Sequence, residues 1–203
     1  MTIDDIASIM AGYEPSLLDD GDFTCAAVAL ILRDGGEGPE SLFIERARRD
    51  GDPWSGDLGF PGGKVEKNDG NTRLTAERET WEEVGLELRN ARYLGRLSDI
   101  SGAHVPVRVS CFLYGLAGRT AISLSEEVRE AFWVPLAELV DPSRHQEVAV
   151  VFRGEVMSRP AILLPHESKP VLWGITYRLV MQFLELLHFD CRRDGRRAAG
   201  RSS

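Results

Sequence analysis

Two runs near the start of the chain, Phe23 to Arg33 and Ser41 to Arg46 (SLFIER), are apolar or alternate apolar with polar positions. The Gly-, Pro- and acid-rich stretch DGGEGPE separates them, which predicts a pair of strands joined by an irregular turn. Further strands are expected at Tyr93 to Ile100, Val105 to Leu116 and Phe132 to Val134. In the second of these, Val105, Val107, Val109, Cys111 and Leu113 recur at every other position, so one face is predicted to enter a core. The period changes elsewhere. Ile3 to Met10, Thr72 to Val84 and a segment just after Ser125 read as helices, as does Ile175 to Leu187, where Ile175, Leu179, Phe183, Leu186 and Leu187 fall at helical spacing. The mixture predicts an α/β fold with helices covering a sheet on both sides.

The helix predicted at Thr72 to Val84 has the clearest boundaries. Asn71 is a good N-cap, and Gly85 stands where a left-handed C-terminal cap belongs. Within it Glu79, Glu82 and Glu83 occupy i, i+3 and i+4, an arc of roughly 100°. Leu74, Ala76, Trp81 and Val84 lie on the remaining arc and are expected to be buried, with Glu77 interrupting the stripe.

Composition narrows the classes. A chain of 203 residues, 43% hydrophobic and 28% charged, suits one folded core rather than a disordered or membrane chain. The longest apolar run, CAAVALIL from Cys25, is too short to span a bilayer, and the acidic start MTIDDIASIM does not resemble a secretory signal. Cys25, Cys111 and Cys191 show no paired spacing, so a reducing, cytoplasmic setting is expected. A net charge of −8 opposes extended nucleic-acid binding, while small anionic ligands remain compatible with a local cation. Residues 1–20 read as a helical N-terminal extension, and Cys191 to Ser203 (CRRDGRRAAGRSS) as a disordered Arg-rich tail.

Three acids on one helical face repel by a few tenths of a kcal/mol per exposed pair, which a solvated helix tolerates. Their setting suggests more. Gly62 and Gly63 precede the helix, Arg78 adjoins Glu79, and a carboxylate cluster suits a hard divalent cation such as Mg²⁺ or Mn²⁺.

The stretch GGKVEKNDG…RETWEEVGL resembles the Nudix box, with Gly63, Arg78, Glu79, Glu82, Glu83, Gly85 and Leu86 matching its fixed positions. Asp69 stands where Glu is usual, and the spacer Gly70 to Glu77 is one residue longer than the usual seven, an extension that resembles the coenzyme A diphosphatase branch. The resemblance implies an α/β/α sandwich with a mixed central sheet over residues 21–190. It implies cleavage of a nucleoside diphosphate linked to another moiety by water attack on the diphosphate, with Mg²⁺ or Mn²⁺ as cofactor. It makes Glu79, Glu82, Glu83 and the Gly63 carbonyl the metal ligands and Arg78 the residue that orients the glutamates. Glu66 and Asp69 could serve a further ion or its waters.

SEEVREAFWVPL resembles the family's later acid-Val…Trp-Val-Pro-Leu segment, which makes Glu127 the better candidate for the general base, beside Glu126. Upstream, Leu42, Arg46, Ala47, Gly56 and Phe60 to Gly63 match parts of the coenzyme A diphosphatase signature, whereas Asp52, Pro53 and Trp54 depart from it. Arg46, Gly62 and Gly63 are therefore candidates for holding phosphates and Trp54 for stacking on a base, with Arg48, Arg49, Arg108 and Tyr114 as further pocket candidates. The implied partner is a small nucleotide diphosphate: coenzyme A or a derivative, or else ADP-ribose, a nucleotide sugar, a dinucleoside polyphosphate or a nucleoside triphosphate. No membrane or extended nucleic acid is expected, and a homodimer is compatible with the sequence. The rival class is a non-catalytic Nudix-fold module that binds a nucleotide or a protein. The four histidines, His104, His145, His166 and His188, show no metal-ligand spacing.

Overall fold

The computed structural model describes residues 1–189 except 20, 22, 50–53, 103–104, 119 and 166–168. The expectations for Asp52, Pro53, His104, His166 and the Arg-rich tail thus fall outside the described residues. In chain order the elements are α1 (Ile3–Ala11), β1 (Thr24–Gly35), β2 (Gly38–Arg46), β3 (Leu58–Gly59), β4 (Gly62–Lys64), α2 (Thr72–Val84), β5 (Arg92–Arg96), β6 (Ile100–Ser101), β7 (Val107–Leu116) and β8 (Val128–Pro135). They continue with α3 (Leu136–Val140), β9 (His145–Phe152), β10 (Glu155–Ile162), β11 (Leu172–Trp173) and α4 (Gly174–Leu186).

The main sheet runs β3-β2-β1-β7-β5, with β4 added to β1, β6 to β7 and β8 to β2. β1 and β7 pair in parallel over ten residue pairs while the other ladders are antiparallel, so the sheet is mixed. β1 reads as an almost unbroken apolar run because both of its faces are covered. Ala27, Ala29 and Ile31 pack on the side that includes Ala76 and Val84 of α2, whereas Leu30 and Leu32 enter the opposite core with Ile6 of α1 and Leu179 and Phe183 of α4. This is the expected α/β/α sandwich.

Several boundaries differ from expectation. The strand predicted at Tyr93 to Ile100 is split into β5 and β6 after a register shift between Tyr93 and Gly95. Between them the Asp99 side chain, 1% exposed, is drawn inward to accept from Arg96 (2.5 Å), Ser110 Oγ (2.9 Å) and the Leu18 amide (3.1 Å). No helix follows Ser125: the Ser125 carbonyl accepts from the Val128 amide in a turn, and Val128 then opens β8 against Arg46. Helical structure begins only at Leu136.

On α2 the cap residues hold: Asn71 accepts from the Leu74 amide at 3.0 Å, and Gly85 adopts φ 70°. The rotation of the helix differs, because Leu74 and Trp81 are 46% and 53% exposed. The buried face is Thr75, Ala76, Thr80, Glu83 and Val84, a row of mostly small side chains that lets α2 lie close to the sheet.

β9, β10 and β11 form a second, antiparallel sheet in the order β11-β10-β9. It lies outside the strands expected from the sequence, although Val148, Val150 and Phe152 alternate before Arg153 and Gly154. That pair takes φ values of 52° and 82°, the geometry of a two-residue hairpin turn with both central residues left-handed. Among the described residues, no helix is long and apolar enough to cross a membrane.

Candidate active site

β4 pairs with β1 so closely that a Cβ on Gly62 would stand 2.3 Å from the Ala27 carbonyl oxygen, and Gly62 itself has φ 151°. Only glycine meets both conditions. At Gly63 the close approach comes from the helix, since a Cβ there would lie 2.4 to 2.5 Å from the Glu79 carboxylate. The two glycines thus press the start of β4 against the acid face of α2.

The three glutamates differ in environment. Glu83 is 3% exposed, and its Oε2 accepts from the Gly62 amide at 2.8 Å. Burial pushes its carboxyl up to about 7, opposed by the Gly62 hydrogen bond and the Arg46 charge and reinforced by the charges of Glu79 and Glu127. Glu79 is also raised, first by burial, with Arg78 opposing and Glu82 and Glu127 adding repulsion. Glu82 is half-exposed and accepts from Arg78 Nη1 at 2.9 Å, an atom that also lies 3.0 Å from Glu79.

Arg78 is held from behind. Asp69 accepts from its Nε and Nη2, both at 3.0 Å, and also from Thr75 Oγ1 at 2.8 Å and the Glu66 amide at 2.9 Å. The guanidinium holds the Asp69 carboxyl well below the usual carboxylate range, and Asp69 in turn raises Arg78. The acid that stands where Glu is usual, just before the lengthened spacer, therefore braces the arginine. Glu66 is exposed.

A cavity of about 630 Å³ opens beside these groups. It is lined by Glu79, Glu83, Gly62, Gly63, Arg46, Trp54 and Glu127 among the residues expected from sequence. Arg46 Nη1 is 3.9 Å from Glu83, and Glu127 lies 2.9 Å from Arg49 Nη1. Arg108 and Tyr114 do not line it. The cavity takes Val105 and the Val107 and Val109 face of β7, so by alternation these two side chains point to the other side. There Arg108 donates to the Leu18 carbonyl at 2.6 Å, and Tyr114, fully buried, donates to Glu77 at 2.8 Å. Lining residues absent from the sequence-based expectation include Asp57, Lys64, Phe152, Arg159 and Trp173, three of them from the unforeseen second sheet.

Among the described residues, no three Asp, Glu, His or Cys side chains are gathered in an arrangement that closes around a metal ion. Their chemistry nonetheless fits a hard divalent cation: oxygen donors that repel one another and resist ionisation, beside a β4 backbone that excludes any side chain at Gly63. Arg78 and the Gly62 amide engage the glutamate oxygens in the arrangement described.

Comparison with known proteins agrees with this architecture. Residues 23–160 match the NUDIX domain model. The mitochondrial coenzyme A diphosphatase NUDT8 of Homo sapiens is 33% identical over 156 residues, covering 73% of this chain and 63% of the relative. An uncharacterised Schizosaccharomyces pombe protein is 36% identical over 120 residues, 55% of this chain and 36% of the relative's length. This chain thus spans only about a third of that relative. The solved NUDIX domain of Shewanella oneidensis NrtR, complexed with ADP ribose, shares the fold at 17% identity, with a TM-score of 0.53 over 89% of this chain and 97% of that one. With more than half of its length matching the domain model and the glutamate helix, glycine pair and mixed sheet all in place, the chain belongs to the Nudix hydrolase family.

Proposed function

We propose that the chain hydrolyses the diphosphate of a nucleoside diphosphate linked to a second moiety, with coenzyme A or a derivative as the favoured substrate. The observation that carries this reading is the placement of Glu79 and Glu83 on the wall of a cavity large enough for a nucleotide, with Arg46 and Glu127 on the same wall. The similarity to NUDT8, named as a coenzyme A diphosphatase, favours that substrate over ADP-ribose or a nucleotide sugar. An intact set of Glu79, Glu82 and Glu83 favours an enzyme over a binding module.

In the reaction, water oxygen bonds to one phosphorus, the bridging P–O bond breaks, and two monophosphates leave. When bound by Glu79, Glu82, Glu83 and the Gly63 carbonyl, Mg²⁺ or Mn²⁺ would supply charge neutralisation on the diphosphate and a lowered pKa for a bound water. Arg78, braced by Asp69, sets the positions of Glu79 and Glu82. Arg46 receives a phosphate oxygen, and Trp54 packs against the base. Glu127 takes the proton of the attacking water as general base.

A panel of nucleotide diphosphates with Mg²⁺ or Mn²⁺, products identified by mass, tests the reading. Coenzyme A is expected to give adenosine 3′,5′-bisphosphate and phosphopantetheine. Absence of hydrolysis across the panel, or turnover unchanged in Glu82→Gln, defeats it; strong ADP-ribose cleavage without coenzyme A cleavage rejects the favoured substrate.

A further inference from the structure

The two edges of the second sheet differ in how they meet a further strand. On one side β11 is only two residues long, and β10 carries Pro160 just before the residues it pairs with, a position with no amide hydrogen to offer. On the other side β9 (HQEVAVVF) has β10 as its strand neighbour among the described residues and contains neither Pro nor Lys, the usual guards of an edge. Ladder parity decides which groups of β9 face that open edge. The Leu163 amide donates to the Arg144 carbonyl at 2.9 Å, and these two residues continue the register in which His145 stands opposite Ile162. Hydrogen-bonded pairs recur at every second position of an antiparallel ladder, so Gln146, Val148, Val150 and Phe152 are the residues that bond to β10. The amides and carbonyls of Glu147, Ala149 and Val151 therefore point to the open edge. Their side chains are exposed too, Val151 at 68%, and its cross-strand neighbour Val156 is exposed at 72%.

The sequence of β9 and its turn is complementary to itself. A second copy that adds its own β9 to this edge about a two-fold axis runs antiparallel and keeps the exposed side chains on one side of the sheet. Residues that face each other then share parity, which leaves few registers. Centring on Val150 sets Ala149 opposite Val151, and Glu147 opposite Arg153 of the second copy. Centring on Val151 would set Glu147 against Glu155, and centring on Ala149 would set His145 against Arg153. Of the three, the first brings opposite charges together at Glu147. Within one chain Glu147 accepts from Ser158 at 2.9 Å, and the Arg153 guanidinium lies 5.6 Å from the centre of the Phe152 ring. Both residues are exposed.

We propose that β9 is a self-association edge, at which two copies of the chain join β9 to β9 in the register centred on Val150. The two second sheets then form one continuous sheet in the order β11-β10-β9-β9-β10-β11. Ala149 and Val151 of each copy exchange amide hydrogen bonds with those of the other, and their side chains continue the apolar strip begun by Val156. Glu147–Arg153 pairs flank the strip at both ends and fix the register. The opposite face of β9 keeps its place in each copy, with Val150 and Phe152 buried and Phe152 on the cavity wall. A contact through one strand pair falls at the small end of interface sizes, below about 1,200 Å², so a dimer that dissociates in the micromolar range is expected. The inference is independent of which substrate the cavity takes.

Sedimentation velocity over a concentration series reads the association, and the wild type is expected to pass from monomer to dimer as concentration rises. Ala149→Pro removes an amide hydrogen that β10 does not use and is expected to weaken the dimer about tenfold or more. Glu147→Arg and Arg153→Glu each place like charges opposite one another, and each is expected to weaken it about fivefold or more. The double variant restores opposite charges and is expected to return within about threefold of the wild type. Glu147 and Arg153 of one chain stand about 20 Å apart along an extended strand, so this rescue arises only between copies. Both lie on the exposed surface, and the charge variants therefore test the edge even where the proline variant does not fold. Hydrogen exchange followed by mass spectrometry in the wild type is expected to slow at residues 147–151 as concentration passes through the transition, with the remaining peptides unchanged. A chain that stays monomeric across the series, a dimer that the charge reversals leave unchanged, single variants that weaken it without rescue in the double, or exchange at residues 147–151 that ignores concentration overturns the proposal.

Discussion

Asp69 shows how one side chain can carry a structural duty inside a reactive site. Its carboxylate, 7% exposed, receives two bonds from Arg78 and further bonds from Thr75 and the Glu66 amide. Asp69→Asn keeps the size but loses the charge, and is expected to lower stability by about 1.5–3 kcal/mol, read by urea denaturation. The pH sign follows from the lowered carboxyl. Because the folded-state value lies below the unfolded value of about 3.9, the stabilisation is complete above that pH and is lost as pH falls through the folded value. The wild type should therefore lose stability below about pH 4 more steeply than Asp69→Asn. Gly63→Ala makes a contrasting test. Its methyl would fall within 2.5 Å of the Glu79 carboxylate, so Glu79 must move; kcat is expected to drop sharply while the melting temperature changes little. At Glu127, exposed and outside the core, Glu127→Gln is expected to reduce kcat by about 10²–10⁴ with no loss of stability if the residue is the base.

At the scale of elements, α2 is where the exposed and buried faces can be checked separately. Leu74 and Trp81 border a shallow hollow of about 330 Å³ with Glu77, Arg78 and Leu88, so replacing Trp81 with Gln should change stability by less than about 0.5 kcal/mol. Ala76 is fully buried between α2 and the sheet, and Ala76→Leu should cost about 1–3 kcal/mol through overpacking. The denaturant midpoint of the Trp81 variant decides between the rotation described and the one expected from hydrophobicity alone, since Ala76 is buried in both. That expectation failed because α2 approaches the sheet through Thr75, Ala76 and Thr80, and Thr80 satisfies its hydroxyl on the Ala76 carbonyl at 2.7 Å, so small polar residues serve as core. Its ends were legible because Asn71 and Gly85 act locally. The break between β5 and β6 was not, because the partners that draw Asp99 inward include Leu18, far away in sequence. The turn after Ser125 was mistaken for a helix start because Ser followed by two acids also fits an N-cap, and only pairing of Val128 with Arg46 resolves the two.

For the molecule as a whole, the glutamate end of the cavity was readable because its residues are contiguous in the chain and bound by spacing. The opposite wall was not, since Asp57, Phe152, Arg159 and Trp173 meet only when the second sheet closes over the first. The join between chain-distant pieces is the central parallel ladder of β1 and β7, which carries both cores on its two faces. Cys111 sits within it opposite Val28, fully buried, and burial pushes its thiol up to about 12. Since thiolate is the reacting species, Cys111 is protected twice, by access and by ionisation. A local opening at a loop or at the hairpin turn exposes neither face of β7, so labelling of Cys111 requires separation of the sandwich. Its rate of alkylation, followed peptide by peptide with mass spectrometry in native buffer and low urea, is expected to track global unfolding and to rise with the full denaturant dependence of that transition. Labelling with a much shallower dependence would show that the α4 layer and second sheet detach while β1 and β7 remain paired, and the sandwich would then be two cooperative units rather than one.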